Sequence, residues 1–379
     1  MAGRSSSRRA RPVVVVAGLG DTGVMVATRL SRWFRVVAVT TRPALVSGQE
    51  LGTRLVDPER WKRNYYVPLR RFRRLDDVEV HHGRITGVDL GNSTVHVSEA
   101  DGSTCDITFD ALVIATGVSN GFWRDDRIED LDSVEGRIDE SARRLADART
   151  IAVVGGGATG VSVADNLART GHDGVHLFIS GDEPLPTHHP SVRRWMDRTL
   201  QADGVTVHRG HRAALPDGAA PDRITEGPVE WATGQPPFVA DAVVWTIGAV
   251  RPHTGFLPPD MLDADGFVVV DEHLQVPGHE RVFAIGDVAA SDPLRSSARN
   301  WGHRVVVANV RDVLRGRDPR RTFRAPEHRW GSILGMQPEG LTVAQANGKR
   351  FRVPRRLAEP MLYGAFVTRG LYGGLRRAD

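Results

Sequence analysis

Two groups of three glycines are the residues of this 379-residue chain whose spacing most clearly predicts chemistry. The two G-x-G-x-x-G patterns consist of Gly18, Gly20 and Gly23 and of Gly155, Gly157 and Gly160. Glycine allows a phosphate to approach the backbone closely, and a helix N-terminus offers unpaired N–H groups and a positive dipole end. Each pattern is therefore predicted to bind the pyrophosphate of a dinucleotide.

Both patterns lie between a predicted strand and a predicted helix. The apolar runs 13–17 and 151–154 precede the glycines, and apolar residues at helical spacing follow them. A second strand, at 35–39 and at 175–179, completes the β-α-β order of a dinucleotide-binding unit. One such pattern is weak evidence, but two in this context predict two dinucleotides, which implies a flavin and a nicotinamide nucleotide.

Further predicted strands end in residues suited to contact these cofactors. The residues in question are Thr116 and Gly117, Thr246 and Gly248, and Gly286 and Asp287. Asp287 would accept a hydrogen bond from a sugar hydroxyl, or alternatively cap the following helix. Between residues 78 and 108, alternating runs predict a small antiparallel sheet.

Neither unit has an acid at the position that normally binds the ribose hydroxyls. The second strand of the first unit is followed by Thr40, Thr41 and Arg42, and Arg42 could pair with a phosphate instead. The second unit has Ser180 there, which removes repulsion toward a 2′-phosphate. Both NADH and NADPH are therefore left open as the nicotinamide nucleotide.

Composition excludes several classes of protein. The fractions of 40% hydrophobic and 25% charged residues are those of a globular protein. Cys105 is the single cysteine, which rules out an intrachain disulfide and a Cys-x-x-Cys pair. Pairs such as His81-His82 have no carboxylate or thiolate partner at ligand spacing, so no metal is predicted.

The basic residues do not predict nucleic-acid binding. Of 50 lysines and arginines, only Lys62 and Lys349 are lysines, and the arginines are spread along the chain. The sequence has no stretch of 18 apolar residues and no apolar segment typical of a secretion signal. We therefore expect a cytoplasmic protein.

Together these residues resemble the two-dinucleotide flavoproteins of the pyridine nucleotide-disulphide oxidoreductase superfamily. The segments 112–117, 153–160 and 271–287 carry the resemblance, which extends from about residue 13 to about residue 320. It is greatest to the group of ferroptosis suppressor proteins, apoptosis-inducing factors and type II NADH dehydrogenases.

The resemblance implies an α/β fold with two Rossmann-like dinucleotide-binding domains, the second inserted in the first, and a small C-terminal α+β region. The expected divisions are a basic arm at 1–12, an FAD-binding domain at 13–120 and 249–325, an NAD(P)H-binding domain at 121–248 and the C-terminal region at 326–379.

The resemblance also implies the cofactor contacts. Those expected for FAD are Gly18, Gly20, Asp21, Thr22, Gly23, Thr40, Thr41, Arg42, Arg84, Ile85, Ala115, Thr116, Gly117, Gly286, Asp287, Ser297 and Ala298. Those expected for NADH or NADPH are Gly155, Gly157, Ala158, Thr159, Gly160, Ser180, Thr246 and Gly248.

No catalytic side chain is assigned, because the flavin itself is expected to react. A helix predicted at about 297–310 would begin under the flavin ring, with Trp301 and His303 nearby. Many relatives have a glutamate where this chain has Ser162, so Ser162 is the third candidate near the reacting atoms.

The predicted function is an FAD-dependent NAD(P)H oxidoreductase. Hydride would pass from the nicotinamide to the flavin, and then to a quinone-like or other small organic acceptor without a cysteine relay. Two alternatives stay open: a flavin-dependent tailoring enzyme acting on a biosynthetic intermediate with weak or no use of nicotinamide, and a non-enzymatic flavin-bound interaction protein. A homodimer and peripheral contact of the C-terminal region with the inner membrane surface are further hypotheses.

Overall fold

The structure, a computed structural model, describes residues 11–119, 127–215, 223–248 and 250–377. The predicted arm at 1–12 lies almost wholly outside the described residues. The predicted domain boundaries at residues 120, 121 and 249 lie outside them as well.

The described strands are as follows in chain order: β1 (Val13–Ala17), β2 (Arg35–Thr40), β3 (Ala44–Val46), β4 (Tyr66–Pro68), β5 (Val78–Asp89), β6 (Thr94–Glu99), β7 (Thr104–Thr108), β8 (Ala111–Ile114), β9 (Val118–Ser119), β10 (Thr150–Val154), β11 (Gly174–Phe178), β12 (Thr206–His208), β13 (Thr225–Val229), β14 (Phe238–Trp245), β15 (Arg251–Pro252), β16 (Gln275–Val276), β17 (His279–Ala284), β18 (Met336–Gln337), β19 (Gly340–Ala344) and β20 (Arg350–Val353).

The described α-helices are α1 (Asp21–Leu30), α2 (Leu51–Val56), α3 (Pro58–Tyr65), α4 (Leu131–Ala146), α5 (Ala158–Arg169), α6 (Pro190–Ala202), α7 (Gly302–Val313) and α8 (Arg355–Ala358). A π-helix, Glu359–Leu371, continues α8. Short 3₁₀ turns span Leu69–Arg71, Arg73–Leu75 and Pro259–Met261.

The first sheet has eight strands in the order β16-β17-β8-β1-β2-β5-β6-β7. The pairings from β17 to β5 are parallel, so the carboxyl ends of these strands lie along one edge. β5 is long enough to continue beyond this part and pair antiparallel with β6, which pairs with β7. The predicted antiparallel sheet between residues 78 and 108 is thus confirmed.

The second sheet has the order β12-β11-β10-β14-β13 and is parallel apart from β13. Its strands lie between β8 and β17 in the chain, so the second unit is inserted into the first. The short antiparallel pair β9–β15 joins the chain segment that precedes the second unit to the segment that follows it, with Ser119 opposite Arg251. The predicted α/β fold class with two Rossmann-like units is confirmed.

Apolar residues cover both faces of the first sheet. Along β1, Val14 and Val16 face α1 and α7, whereas Val15 and Ala17 face the opposite side. This two-sided burial explains why the strand is a continuous valine run. The two units also contact each other directly. Helix α2, from the first unit, packs against α5 of the second unit, although α2 precedes α5 by about 100 residues in the chain.

The C-terminal region is α+β, as predicted. β18, β19 and β20 form an antiparallel sheet, followed by α8 and the π-helix. This region contacts the first unit through ring pairs, because Tyr363 lies 5.7 Å from Tyr65 and Tyr372 lies 5.1 Å from Phe72 between ring centroids. The π-helix therefore packs against the first unit, whereas Leu334 and Ala344 lie in the core of the second.

The helix predicted at about 297–310 begins later, at Gly302, and the prediction is wrong for its first turn. The Asp292 carboxylate accepts hydrogen bonds from the backbone N–H and the hydroxyl of Ser296, at 2.9 and 3.1 Å. Trp301 then adopts a left-handed conformation with φ of 62°. These local bonds compete with helix formation, so a turn precedes α7.

Replacing Gly23 by alanine is expected to lower the free energy of unfolding by about 1–3 kcal/mol. A Cβ at Gly23 would lie 1.8 Å from the Gly18 carbonyl oxygen, so α1 would have to move away from β1. Urea unfolding measures the change. Gly136→Ala is the control, since Gly136 lies within α4 with open space around it, and it should stabilise by about 0.5–1 kcal/mol. Equal stability of Gly23→Ala and wild type would contradict the prediction.

Candidate functional site

A cleft of about 1870 Å³ lies between the two sheets and the C-terminal region. Most predicted site residues line it: Gly18, Gly20, Asp21, Thr22, Thr40, Thr41, Arg42, Arg84, Ile85, Ala115, Thr116, Gly117, Ala158, Thr159, Ser162, Gly248, Gly286, Asp287, Ala298, Trp301 and His303. Seven others do not: Gly23, Gly155, Gly157, Gly160, Ser180, Thr246 and Ser297.

The first glycine turn joins β1 to α1 and leaves space at the helix N-terminus. Gly18 has φ of 98°, and a Cβ there would lie 2.5 Å from the carbonyl oxygen of Ala115. Gly20 is the N-cap of α1, has no side-chain cap, and a Cβ there would meet no atom within 4 Å. The first N–H groups of α1 therefore face open space that suits a phosphate.

The second glycine turn repeats this arrangement between β10 and α5. Gly155 has φ of 125°, and a Cβ there would lie 2.3 Å from the carbonyl oxygen of Thr246. The Thr246 hydroxyl donates to the Val154 carbonyl at 2.9 Å, so Thr246 stabilises the backbone at the start of the turn. Gly157, the N-cap of α5, is open and without a side-chain cap. The residues present thus fit two pyrophosphates.

The side chain of Asp21 contacts the protein's own next loop. Its carboxylate accepts a hydrogen bond from the Ser47 hydroxyl at 2.7 Å and from the Gly48 backbone N–H at 3.0 Å. The Asp21 carboxylate thus holds the loop before α2 against α1, and the contact of Asp21 with FAD stays a prediction. The residue still lines the cleft.

An acid does lie near the end of β2, although the sequence has none there. Glu129 is buried, its N–H donates to the Thr41 carbonyl at 2.9 Å, and its carboxylate pairs with Arg42 at 2.7 Å. The Thr40 hydroxyl donates to the Arg42 carbonyl at 3.2 Å. Arg42, predicted to pair with a phosphate, thus pairs with Glu129, a residue 87 positions away in sequence.

Ser297 supports the Gly286-Asp287 turn. The Gly286 N–H donates to the Ser297 hydroxyl oxygen at 3.0 Å, and Ser297 is fully buried. The Ser297 hydroxyl thus holds the turn in place, and its contact with FAD stays a prediction. Asp287 and Ala298 keep their predicted place in the cleft wall.

His303 is a buried polar group in the cleft wall. It is 1% exposed, and neither ring nitrogen has a hydrogen-bond partner in the described part of the chain. Burial, with added repulsion from Arg29 and Arg304, lowers the pKa of His303 to about 3, so the ring is neutral. An unpaired buried N–H at the start of α7 suits a bound ligand that accepts a hydrogen bond.

Several residues of the cleft wall were missed from the sequence. Burial lowers the pKa of His188 to about 4, and its Nδ1 has no hydrogen-bond partner among the residues described. Other missed residues include Glu50, Tyr65, Leu362, Phe366 and Arg329. They come from α2, α3 and the C-terminal region, and no local pattern marks them.

One side-chain cluster with metal-ligand chemistry exists among the described residues. His81 Nδ1 lies 2.5 Å from Glu99 Oε1, and Cys105 Sγ lies 3.4 Å from the same oxygen. The prediction that His81 lacks such partners is wrong, because β5, β6 and β7 bring distant residues together. The cluster does not line the cleft.

The paired glycine turns and sheets define a class of proteins that bind two dinucleotides. The chain belongs to the pyridine nucleotide-disulphide oxidoreductase family, whose sequence profile matches residues 11–310. The predicted family is thereby confirmed. Relatives include ferroptosis suppressor proteins and apoptosis-inducing factor homologues.

Individual comparisons support the same family. Oxidoreductase ptaL of Pestalotiopsis fici is 34% identical over 57% of this chain and 58% of its own length, which is less than two thirds of that relative. Type II NADH:quinone oxidoreductase Ndh of Mycobacterium tuberculosis is 26% identical over 82% of this chain and 74% of its own. The water-forming NADH oxidase of Lactobacillus brevis, solved with NADH, shares the fold with a TM-score of 0.64 and 17% identity, covering 88% of this chain and 74% of that one.

Acidification is expected to destabilise the cofactor-free protein through His303. Its lowered pKa means that stability is full above pH 6.5 and is lost as the pH falls toward about 3, because the unfolded chain binds the proton more readily. His303→Phe should remove about 1–3 kcal/mol of this loss. Urea unfolding across that range measures it, with exposed His96→Gln as the control. Parallel curves for wild type and His303→Phe would contradict the prediction.

Proposed function

We propose that this protein passes hydride from NADH or NADPH to FAD and then two electrons to a quinone-like or other small organic acceptor. The observation that carries the proposal is the pair of open helix N-termini at Gly20 and Gly157. Gly20 lines the cleft, and Ala158 and Thr159, which follow Gly157, line the same cleft. Two dinucleotides held on either side of one cleft can bring their reactive rings together inside it. FAD, when bound, supplies the hydride-accepting and electron-donating chemistry.

The chain's own residues bind and orient in this proposal. The N–H groups of the first turn of α1 hold one pyrophosphate, and those of α5 hold the other. Asp287 accepts hydrogen bonds from the sugar part of FAD, and neutral His303 donates one to the flavin edge. Ser180 lies exposed after the end of β11. Because this position has no acid to repel a 2′-phosphate, it suits both NADH and NADPH.

The acceptor is proposed to reach the flavin directly. Cys105 is the single cysteine and does not line the cleft, so no thiol pair stands between the flavin and the acceptor. Apolar side chains of the C-terminal region, Leu362 and Phe366, line the cleft beside Trp301. Such a wall suits a planar apolar molecule, and the mycobacterial relative is named as an NADH:quinone oxidoreductase.

Anaerobic titration of the FAD-loaded protein tests this proposal. NADH or NADPH should bleach the visible flavin absorbance, and a water-soluble benzoquinone should restore it. Gly157→Asp is the variant that selectively weakens nicotinamide binding, since aspartate caps α5 and repels phosphate. It should keep FAD and raise the nicotinamide concentration for half-maximal bleaching about 10-fold or more.

The matched variant Gly20→Asp places the same charge at α1 and should lose FAD instead. Failure of both nucleotides to bleach the wild-type flavin would overturn the proposed function. Loss of FAD from Gly157→Asp, or retention of FAD by Gly20→Asp, would overturn the assignment of the two turns.

We further propose peripheral membrane contact through the C-terminal region. Leu357, Met361 and Phe366 are exposed apolar side chains on α8 and the π-helix, and Arg355 and Arg356 precede them. Apolar groups beside arginines suit an anionic bilayer surface. In the described part of the chain, every helix is too short or too polar to cross a bilayer.

Co-sedimentation with vesicles tests this contact. Vesicles containing anionic lipid should bind the protein, and Met361→Glu should weaken binding about 10-fold, since it places a charge at the apolar contact. Val239→Glu is the control, because Val239 is an exposed apolar residue of β14, outside the C-terminal region. Equal binding of wild type and Met361→Glu would contradict the proposal.

A further inference from the structure

Glu50 is an acid in the cleft wall that the predicted cofactor contacts do not use. Its Oε1 accepts hydrogen bonds from the hydroxyls of Tyr65 at 3.0 Å and Tyr363 at 2.9 Å, and these two hydroxyls lie 3.2 Å apart. The backbone N–H of Met336 is a further donor to the carboxylate. One carboxyl group therefore joins α3, the π-helix and β18.

The loop that carries Glu50 is fixed at both ends. Asp21, at the start of α1, holds Ser47 and Gly48, and the carbonyl before Glu50 accepts a hydrogen bond from Trp61 Nε1 at 2.7 Å. Glu50 itself has φ of 48°, a left-handed conformation that is strained for a non-glycine residue. The structure thus holds this carboxyl group in one place.

That place is the junction of the two dinucleotide units. Just after Glu50, Gly52 of α2 lies against α5, where a Cβ would be 2.4 Å from the Ser162 hydroxyl oxygen. On the other side, a Cβ at Gly335 would be 2.8 Å from the Glu50 carboxyl carbon. The carboxyl group therefore lies where the first unit, the second glycine-turn helix and the C-terminal region meet.

Reduction of a quinone-like acceptor needs a proton as well as a hydride. The hydride brings two electrons and one proton to the acceptor, and the second oxygen needs one more proton to give the hydroquinone. We propose that the Glu50 carboxyl donates this proton, while Tyr65 and Tyr363 orient it. Glu50 is left as a carboxylate and regains a proton from water at the cleft. This inference rests on the proposed function.

The surroundings of Glu50 favour it as the donor. Burial raises the pKa of Glu50, against the lowering by hydrogen bonds from Tyr363, Tyr65 and Met336 and by the charge of Arg60. Burial also raises the pKa of both tyrosines, which makes each phenol a weaker proton donor than an exposed tyrosine. The protonated carboxyl therefore persists to higher pH than an exposed glutamate.

Two half-reactions of the FAD-loaded enzyme separate this role from the proposed function. In Glu50→Gln, bleaching by NADH or NADPH should match wild type. Reoxidation by a water-soluble benzoquinone should be about 100-fold slower. Reoxidation by ferricyanide, which takes electrons without protons, should be unchanged. The control is Glu359→Gln, since the Glu359 side chain is 44% exposed and pairs with Arg355 at the start of the π-helix.

Tyr363→Phe gives a second readout that a purely structural role would not produce. The Tyr363 hydroxyl stabilises ionised Glu50, so its loss raises the pKa of Glu50 further. The pH at which quinone reduction slows should shift upward, whereas Glu50→Gln should lose this pH dependence. Independently of turnover, a carboxyl stretching band in the infrared should titrate in wild type, shift in Tyr363→Phe and be absent from Glu50→Gln.

Benzoquinone reoxidation of Glu50→Gln at the wild-type rate, or an unshifted pH profile in Tyr363→Phe, would overturn the inference. Equal slowing with ferricyanide and benzoquinone would also overturn it, because the defect would not be proton transfer. Absence of bleaching in wild type would count against the proposed function instead. If Glu50→Gln does not fold, the Tyr363→Phe profile and infrared band decide the matter.

Discussion

The arrangement of the molecule depends on unpaired backbone N–H groups at the start of two helices. At Gly20 and Gly157 the helix has no side-chain cap, and open space takes its place. An uncapped N-terminus is stabilised when an anion supplies the missing acceptors. The close contact of Gly23 with the Gly18 carbonyl sets the distance between strand and helix. Phosphate binding and core packing are therefore linked through the same turn.

Other contacts extend this arrangement into the cleft. The Asp21 carboxylate at the start of α1 fixes the loop before α2, and α2 packs against α5 of the second unit. The π-helix then closes the cleft and brings Tyr363 to Glu50. These contacts join segments that are far apart in sequence. The site is consequently shared among three parts of the chain.

Local patterns were sufficient for the main elements of the fold. Both strand–glycine–helix units, the antiparallel strands near residue 95 and the α+β C-terminal region follow the predicted patterns. The start of α7 does not follow the predicted pattern, because Asp292 forms a turn that helical spacing does not reveal. The pairing of Arg42 with Glu129 and the partners of His81 were also missed, since both depend on contacts between segments far apart in sequence.

The sequence by itself determined the two dinucleotide units, because their signals lie within about 30 consecutive residues and follow from backbone chemistry. It also determined the family, because the segments that carry the resemblance lie within the same two units. Only the tertiary structure decided which side chains share the cleft: Glu50 and Tyr363 stand 313 residues apart. Such contacts arise from the packing of helices and sheets, and no periodicity along the chain encodes them.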